Sequence, residues 1–554
     1  MKKEFDVVVV GAGINGLACA CYLQKAGLDV AVIERRNECG PFALTEDIFG
    51  AGVPVDTHAG VCFLTMSPAY GDLELDKFGL DLIIPNIPAG TVWKDGSNLL
   101  FHYDLDKTCE SFSRHSQKDA DTFKRLMSAL QPRMMEVLDK AVFTAPSDEG
   151  EDYLWGLGEI AGFKADDFRT MNGFEFMDLL YENEKVKSSL LGGAAIGVFG
   201  DVAEKGEGAV MSMLAMAMTL GVPRGGMHTL VHSLVRCYRH YGGTLLFNAP
   251  VERVELEGGR PRVVHLSADA PYPEAEVVAR EAVVMHVSPP LALQMLGAQA
   301  IEAHDHGLWK KMNDWDMTGH CAFTSYGLFR GMPKWSSRRW DENIMRCAFP
   351  LRAWDSWEHA KRSFQCAKNE ELFTVAGDVG EIYNLAQIDP SRTGPNGETV
   401  LVYEVEYPVN MRRHGGMEAW DDRSITDRLH EAHLSDLRDM IDDFDTDLVD
   451  SMYFTPIDNW RRNPSAIYGH ELGGDVSGPQ WYQGRMPNRS AIPGLYFSQG
   501  VWPASLTHLG SAYVTASAVA QDLEVRTRDW WTQQPMQRFI ELMLARNAEE
   551  RMSA

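Results

Sequence analysis

The chain has 554 residues, of which 45% are hydrophobic and 23% are charged, and its formal net charge is −26. This length exceeds what one hydrophobic core usually supports, so two or more domains are expected. A strongly acidic surface disfavours nucleic acid and anionic lipid as partners.

The cysteines and the N-terminus bear on the compartment. The nine cysteines include no C-x-x-C pair, and an odd number without paired spacing favours a reducing environment. The first predicted strand begins within five residues of Met1, which leaves no room for a signal peptide. No apolar run reaches the ~20 residues that a membrane span needs. We therefore expect a cytoplasmic protein.

A strand and a glycine-rich turn open the chain. The valines at 7–10 predict a strand that is buried on both faces of a parallel sheet. Gly11, Gly13 and Gly16 follow with the spacing G-x-G-x-x-G. In a dinucleotide-binding turn, such glycines allow a tight bend, close approach of a pyrophosphate and close packing of helix on strand. A helix is predicted from Ile14 to Ala26, and its N-terminus would present free N–H groups to the phosphates.

A second strand and an acid complete this pattern. The apolar run from Val30 to Ile33 ends in Glu34, 18 residues after Gly16. An acid near ~20 residues from the turn is placed to accept hydrogen bonds from a ribose. An ordinary glycine turn is the alternative, but all parts of the pattern occur in register. We interpret the following as cofactor-binding residues: Gly11, Ala12, Gly13, Ile14, Asn15, Gly16 and Glu34.

Residues 34–46 read ERRNECGPFALTE, with Glu34, Arg36, Gly40, Ala43, Thr45 and Glu46 at recurring positions. This stretch resembles the phytoene dehydrogenase-like family, which contains carotenoid desaturases and O-type carotene ketolases. The family pattern is close to E-x-R-x-x-x-G-G-A-x-x-T-E. Pro41 replaces the second glycine, and Phe42 stands one place before Ala43. The resemblance implies FAD as the cofactor, and it implies that FAD is contacted by Arg35, Arg36, Gly40, Ala43 and Thr45.

The middle of the chain is predicted to alternate between helices and strands. Residues 110–222 have a mostly helical period, and the methionine-rich run from Val210 to Leu220 favours core packing over a wall of a substrate tunnel. An amphipathic helix is predicted after Pro223, and four apolar runs at 244–248, 251–256, 262–267 and 276–286 predict a small meander. The resemblance implies that the backbone of Val251 contacts the adenine.

The C-terminal part supplies the second half of the expected cofactor site. A predicted strand ends at Gly500, and a helix of small residues is predicted over about 511–522. The N-terminus of that helix would favour negative charge on a reduced flavin. The family's glycine triplet is replaced by Ala504, Ser505 and Leu506. The resemblance implies flavin contacts from Gly500, Trp502, Leu509 and Gly510.

These patterns predict an α/β fold with two domains and a tail. A Rossmann-type, glutathione reductase-like FAD-binding domain is expected from 1–85, 223–298 and 480–523. A discontinuous mixed α+β substrate domain is expected from 86–222 and 299–479. The tail, 524–554, is expected to pack on the body or on another protomer, and a membrane-surface helix is the less favoured alternative. No metal site is predicted, and a homo-oligomer is left open.

The resemblance implies an FAD-dependent dehydrogenase or desaturase that forms a C=C bond in an apolar, alicyclic or isoprenoid substrate. No second G-x-G-x-x-G occurs, so the expected electron acceptor is oxygen, a quinone or a carrier protein. His508, His58 and Asp56 are the candidate bases, although a group in such a place is more often structural than a base. Three other functions compete: an amine oxidase-type flavoprotein, a flavin-dependent isomerase, and a flavin-free binding protein on the same fold.

Overall fold

A computed structural model of the chain describes residues 3–197, 201–272, 276–372, 379–527, 529–532 and 534–553. The strands in chain order are β1 (Glu4–Val10), β2 (Val30–Ile33), β3 (Thr45–Glu46), β4 (Val55–Asp56), β5 (Leu82–Ile83), β6 (Ile87–Val92), β7 (Asn98–Phe101), β8 (Val222–Pro223), β9 (Thr244–Leu246), β10 (Val251–Glu257), β11 (Arg260–Leu266), β12 (Glu276–Met285), β13 (His320–Phe329), β14 (Lys334–Trp335), β15 (Cys347–Arg352), β16 (Gly380–Tyr383), β17 (Thr399–Pro408), β18 (Ile441–Asp442), β19 (Leu448–Phe454) and β20 (Leu495–Phe497).

The α-helices in chain order are α1 (Ile14–Lys25), α2 (Pro68–Asp72), α3 (Leu105–Ser113), α4 (Gln117–Leu130), α5 (Met134–Val137), α6 (Asp148–Gly156), α7 (Gly158–Ala161), α8 (Ala165–Arg169), α9 (Gly173–Leu180), α10 (Glu184–Gly197), α11 (Glu207–Ala215), α12 (His228–His240), α13 (Pro289–Leu296), α14 (Ala298–His304), α15 (His306–Asn313), α16 (Trp357–Lys368), α17 (Arg423–Met440), α18 (Phe444–Asp447), α19 (Pro456–Arg462), α20 (Gly510–Asp522) and α21 (Gln537–Ser553).

The first sheet carries the nucleotide-binding pattern. Within the described residues its order is β10-β11-β12-β1-β2-β9, with β20 also paired to β12. The strands β20, β12, β1, β2 and β9 run parallel to one another. The valines of β1 are buried because α1 lies on one face of the sheet and α13 on the other. Helix α1 also packs against α12 and α20, so the two ends of the chain meet here.

The predicted meander needs one correction. Strands β10, β11 and β12 do form an antiparallel meander. Strand β9, however, pairs in parallel with β2 at the opposite edge of the sheet. Helix α12 comes directly before β9 and carries the chain to the edge beside β2. Two parallel strands such as β2 and β9 cannot be joined by a tight turn and need a crossover connection of this kind.

The second sheet forms the other wall of the molecule's main cavity. Within the described part of the chain its order is β19-β13-β17-β16-β15-β6-β7. Side chains alternate along β17, so that Tyr403, Val405 and Tyr407 enter the core beneath α17. Val402 and Glu404 therefore lie on the opposite face, which is turned towards the cavity.

The C-terminal tail packs against the body. Trp531 is 1% exposed, and its ring lies 4.7 Å from the ring of Tyr22 on α1. The hydroxyl of Thr532 donates to Asp72 Oδ1 at 2.8 Å. Among the described residues, every helix is too short or too polar to cross a bilayer.

Candidate functional site

A cavity of about 510 Å³ is shared by the two sheets. One end is formed by the glycine turn and the end of β2, and the other by apolar side chains of the second sheet and its helices. The predicted cofactor residues that line it are Gly11, Gly13, Ile14, Asn15, Glu34, Arg35, Arg36, Gly40, Ala43 and Val251. The apolar end is lined by Pro88, Phe101, Leu190, Met216, Met218, Leu220, Phe349 and Leu351, among others.

Two steric contacts explain the glycines of the turn. A Cβ atom at Gly16 would lie 2.4 Å from the carbonyl oxygen of Gly11, so the helix could not begin so close to the strand. A Cβ atom at Gly13 would lie 2.7 Å from Nε2 of His286, which follows β12. Gly13 therefore leaves backbone exposed to the cavity at the N-terminus of α1, where an anion is favoured.

Glu34 holds the turn and the end of β2 together. Its Oε2 accepts the N–H of Ala12 at 2.8 Å, and its Oε1 accepts the N–H of Arg36 at 2.8 Å. Burial raises the pKa of this carboxyl, while the two N–H donors act in the opposite direction. The side chain lines the cavity, so its remaining lone pairs are available to a hydroxyl donor.

Asn15 joins the first and last parts of the chain. Its Nδ2 donates to the carbonyl of Leu506 at 3.0 Å, and its Oδ1 accepts the hydroxyl of Ser511 at 2.9 Å. Because Ser511 lies in the first turn of α20, this bridge sets the N-terminus of α20 beside that of α1.

The C-terminal segment reaches the cavity through residues other than the predicted ones. Trp502 donates its Nε1–H to the carbonyl of Ala141 at 2.8 Å and packs edge-on against Trp481 and Tyr482. The predicted residues that do not line the cavity are Ala12, Gly16, Thr45, Gly500, Trp502, Leu509 and Gly510. The residues of this segment that do line it are Gln499, Ser505, Leu506 and Thr507.

His58 is the candidate base that lines the cavity. Its side chain is 2% exposed, and its Nδ1 lies 2.8 Å from Oε1 of Glu471. The ring lies 4.4 Å from that of Phe42, between centroids. Among the described residues, its Nε2 has no hydrogen-bond partner.

Both carboxylate oxygens of Asp56 are occupied by hydrogen bonds or an ion pair with neighbouring residues. One oxygen accepts the hydroxyl of Thr45 at 2.6 Å and the N–H of Met227 at 2.9 Å. The other forms an ion pair with Arg392 at 2.5 Å, and both side chains are buried. Asp56 does not line the main cavity, so these contacts favour a structural role.

His508 also lies outside the cavity lining. Its Nδ1 accepts the N–H of Gly510 at 2.9 Å, and its ring packs edge-on against Phe143 at 5.8 Å. Burial lowers its pKa to about 4, so it is neutral near pH 7. The imidazole thus satisfies an N–H at the start of α20.

Three carboxylates on the cavity wall escaped the sequence analysis. Glu381 of β16, Glu404 of β17 and Glu471 all line the cavity. Glu404 lies within the otherwise apolar strand 399–408, on the same face as Val402. A glutamate in such a strand could have indicated a polar group on a buried wall. His286 could also have been expected, because it follows the parallel neighbour of β1, where ligands of such sheets bind.

The methionine-rich segment divides between core and cavity. Met211 and Met213 of α11 are buried, as the core interpretation predicts. Met216 and Met218, which follow α11, line the cavity. The second part of the segment therefore faces the cavity, and its role as a substrate wall stays a prediction.

Comparisons with known proteins find a matching domain and several similar chains. Residues 9–73 match the NAD(P)-binding Rossmann-like domain, which confirms the predicted Rossmann-type fold class. A limonene dehydrogenase subunit of Castellaniella defragrans is 24% identical over 544 residues, which cover 96% of this chain and 97% of that protein. Hydroxyneurosporene desaturase of Cereibacter sphaeroides is 28% identical, over 49% of this chain and 55% of that protein. A redesigned putrescine oxidase has a similar structure, with a TM-score of 0.55 and 17% identity, over 95% of this chain and all of that one.

Proposed function

The chain belongs to the phytoene dehydrogenase-like family of oxidoreductases, and from that premise we propose that it is an FAD-dependent dehydrogenase or desaturase. It takes a hydride from a C–H bond of an apolar, alicyclic or isoprenoid substrate and a proton from the neighbouring carbon, so that a C=C bond forms. The electrons pass to oxygen, a quinone or a carrier protein. The observation that carries the proposal is the cavity that joins the glycine turn to an apolar wall.

The residues at the turn fit FAD. Gly13 presents backbone where a side chain would meet His286, and the N-termini of α1 and α20 lie side by side. Such N–H groups suit a pyrophosphate. Glu34 would hold a ribose hydroxyl and Val251 the adenine. When bound, FAD supplies the hydride acceptor.

The apolar end of the cavity binds and orients the substrate. Phe101, Leu190 and Leu220 offer no side-chain hydrogen bonds, so they exclude water and select hydrocarbon surface. Met216 and Met218 adapt their shape to an irregular ring because methionine is flexible and polarisable.

A compact alicyclic terpene is the substrate class that we favour. The similarity to the limonene dehydrogenase subunit extends over nearly the whole of both chains, whereas the similarity to hydroxyneurosporene desaturase covers about half of each. Because the former relative is named as one subunit of its enzyme, a second polypeptide is also a candidate route for the electrons.

An amine oxidase-type activity is the second candidate. Glu381, Glu404 and Glu471 line the cavity, and carboxylates there could hold the ammonium group of an amine. The test is release of hydrogen peroxide from putrescine or cyclohexylamine under air.

The main proposal is tested by anaerobic mixing of the FAD-loaded protein with limonene, phytoene, a cyclic ketone and putrescine. We expect a terpene to bleach the visible flavin band and to yield a product lighter by two hydrogens. A product of unchanged mass would indicate an isomerase instead. Protein that stays colourless after incubation with FAD would refute the proposal and favour a flavin-free binding protein. Reduction by NADPH alone, at a rate that matches turnover, would refute the proposed electron acceptors.

A further inference from the structure

Two glutamates face each other on the cavity wall of the second sheet. Glu381 of β16 and Glu404 of β17 are direct partners across the antiparallel ladder, and both line the cavity. On its other side, Glu404 is opposite Thr324 of β13, whose hydroxyl donates to Glu404 Oε2 at 2.5 Å. Like charges placed directly opposite destabilise a sheet, so this pair has a cost that packing alone does not explain.

Glu404 is buried, and neither glutamate has a balancing cation in the part of the chain that the structure describes. Within the described residues, no lysine or arginine forms an ion pair with Glu381 or Glu404. Burial, and then the charge of Glu471, raise the pKa of Glu404 to about 7, while the Thr324 hydroxyl opposes this shift. Burial also raises the pKa of Glu381 well above its ordinary value.

Other titratable groups surround the pair. Glu406 follows on the same face of β17, and Tyr326 and Tyr383 lie on the two neighbouring strands. Glu471 and His58 face the pair from loops outside the sheet. The Nε2 of His58 is buried and has no hydrogen-bond partner among the described residues. This wall therefore offers proton-accepting groups within an otherwise apolar cavity.

We propose that Glu404, with Glu381 beside it, accepts the proton that the substrate carbon loses. This rests on the proposed dehydrogenase function. With FAD bound, the hydride of one C–H bond would go to the cofactor as the two-electron acceptor, and the neighbouring C–H bond would break so that its electron pair becomes the second bond of the C=C. The proton of that second bond passes to a carboxylate oxygen of Glu404.

The proton also has a polar way out. Glu471 lines the main cavity and a second cavity of about 350 Å³. The second cavity is lined as well by His470 and Asp475. Glu404 can therefore return to its ionised form by proton transfer towards Glu471, which leaves it ready for another turnover.

The test compares Glu404→Gln with Glu406→Gln. Glutamine keeps the oxygen that accepts the Thr324 hydroxyl, and removing one of several like charges does not threaten folding. Glu406 is a matched control because it lies on the same strand and face but lines only the second cavity. In anaerobic flavin reduction by a terpene, we expect Glu404→Gln to be slower by roughly 10²–10⁴-fold, Glu406→Gln to stay close to wild type, and Glu404→Asp to recover part of the rate.

Two further readouts separate a proton acceptor from a structural group. The wild-type reduction rate should rise as the pH rises through about 7, and this step should vanish in Glu404→Gln. Infrared difference spectra of the protein without FAD should show a protonated carboxylic acid band that titrates in the same range and is missing in that variant.

The outcomes that overturn the proposal differ from those that overturn the function. If no hydrocarbon reduces the flavin of the wild-type protein, both the proposed function and this role are refuted. If a hydrocarbon reduces the wild-type flavin, and the Glu404→Gln variant keeps the same reduction rate and the same pH dependence, only the proton role is refuted. Equal slowing of Glu404→Gln and Glu406→Gln would also sink it, because the effect would then reflect the general field of the cluster.

Discussion

Glu34 Oε2 accepts the backbone N–H of Ala12 at 2.8 Å, so the acid at the end of β2 fixes the shape of the turn at the end of β1. The same carboxylate also accepts the N–H of Arg36. Glu34 therefore organises the backbone of the turn in addition to its proposed contact with a ribose. Because Glu34 both shapes the turn and is proposed to contact the ribose, replacing it should lower cofactor affinity more than the loss of the ribose contact alone would.

Replacing Glu34 by glutamine should weaken FAD binding. One of the two N–H donors then faces the amide NH2 group and has no acceptor, and hydrogen bonds to charged groups are worth about 1.5–3 kcal/mol. We expect Kd to rise by roughly 10- to 100-fold. Titration of the cofactor-free protein with FAD, followed by flavin fluorescence, measures the change. Glu38→Gln is the control, since Glu38 pairs with Arg36 at the half-exposed edge, and equal affinities in the two variants would contradict the role of Glu34.

Gly13→Ala should abolish stable FAD binding. The new Cβ atom would lie 2.7 Å from His286 Nε2, and His286 is held through Nδ1 by the hydroxyl of Ser498, so the ring cannot retreat freely. Gly71→Ala is the matched control, because nothing lies within 4 Å of the added atom. The protein yield and flavin absorbance of the two variants are compared. A Gly13→Ala protein that retains its full flavin content would show that the turn has room for a side chain.

The first βαβ unit could be predicted closely because its signals are local. The valine run, the glycine spacing and the second apolar run determine β1, α1 and β2 without reference to the rest of the chain. The helix of small residues at 510–522 was likewise readable. Where these segments meet was inferred from the family resemblance, and the bridge from Asn15 to Leu506 and Ser511 shows them in contact.

The carboxylate wall could not be predicted because it depends on non-local register. Glu381 and Glu404 are 23 residues apart in the sequence, and only the pairing of β16 with β17 makes them neighbours. A shift of that register by one residue would point one of them into the core beneath α17. The position of β9 at the far edge of the first sheet could not be predicted for the same reason, because the sequence of a single strand does not determine which strand it pairs with.

Asp56→Asn should lower stability more than it changes chemistry. The substitution removes one of the two buried carboxylates that pair with Arg392, the other being Asp389, and a hydrogen bond to a charged group is worth about 1.5–3 kcal/mol. Urea unfolding measures the loss, and the flavin reduction rate is measured below the transition. A folded variant that has full stability but much slower reduction would instead support the base that the sequence suggested.

The two histidine candidates should behave differently. His58→Gln changes a group that lines the cavity beside Glu471, so we expect slower flavin reduction, roughly 10-fold or more. His508→Asn keeps an acceptor for the Gly510 N–H and should reduce at close to the wild-type rate. The rates are measured by anaerobic stopped-flow absorbance. Slower flavin reduction in His508→Asn, with FAD binding unchanged, would instead support a catalytic role for His508.

Stability should fall as the pH rises from 5 to 9, and Glu207 is a main reason. Burial raises the pKa of Glu207 to about 8, against one N–H donated by Gly478, and the charges of Glu204, Asp201 and Asp475 add to the rise. A carboxyl with a raised native pKa binds its proton more tightly in the folded state than in the unfolded state. Its contribution to stability is therefore complete below its unfolded pKa and is lost as the pH rises through about 8.

Glu207→Gln keeps the acceptor for the Gly478 N–H but does not titrate, and one pKa unit corresponds to about 1.4 kcal/mol. We therefore expect the variant to be more stable than wild type at pH 9, by on the order of 2 kcal/mol, and nearly equal to it at pH 5. Thermal unfolding across this range measures the difference, and parallel curves for the two proteins would show that Glu207 is ionised in the native state throughout.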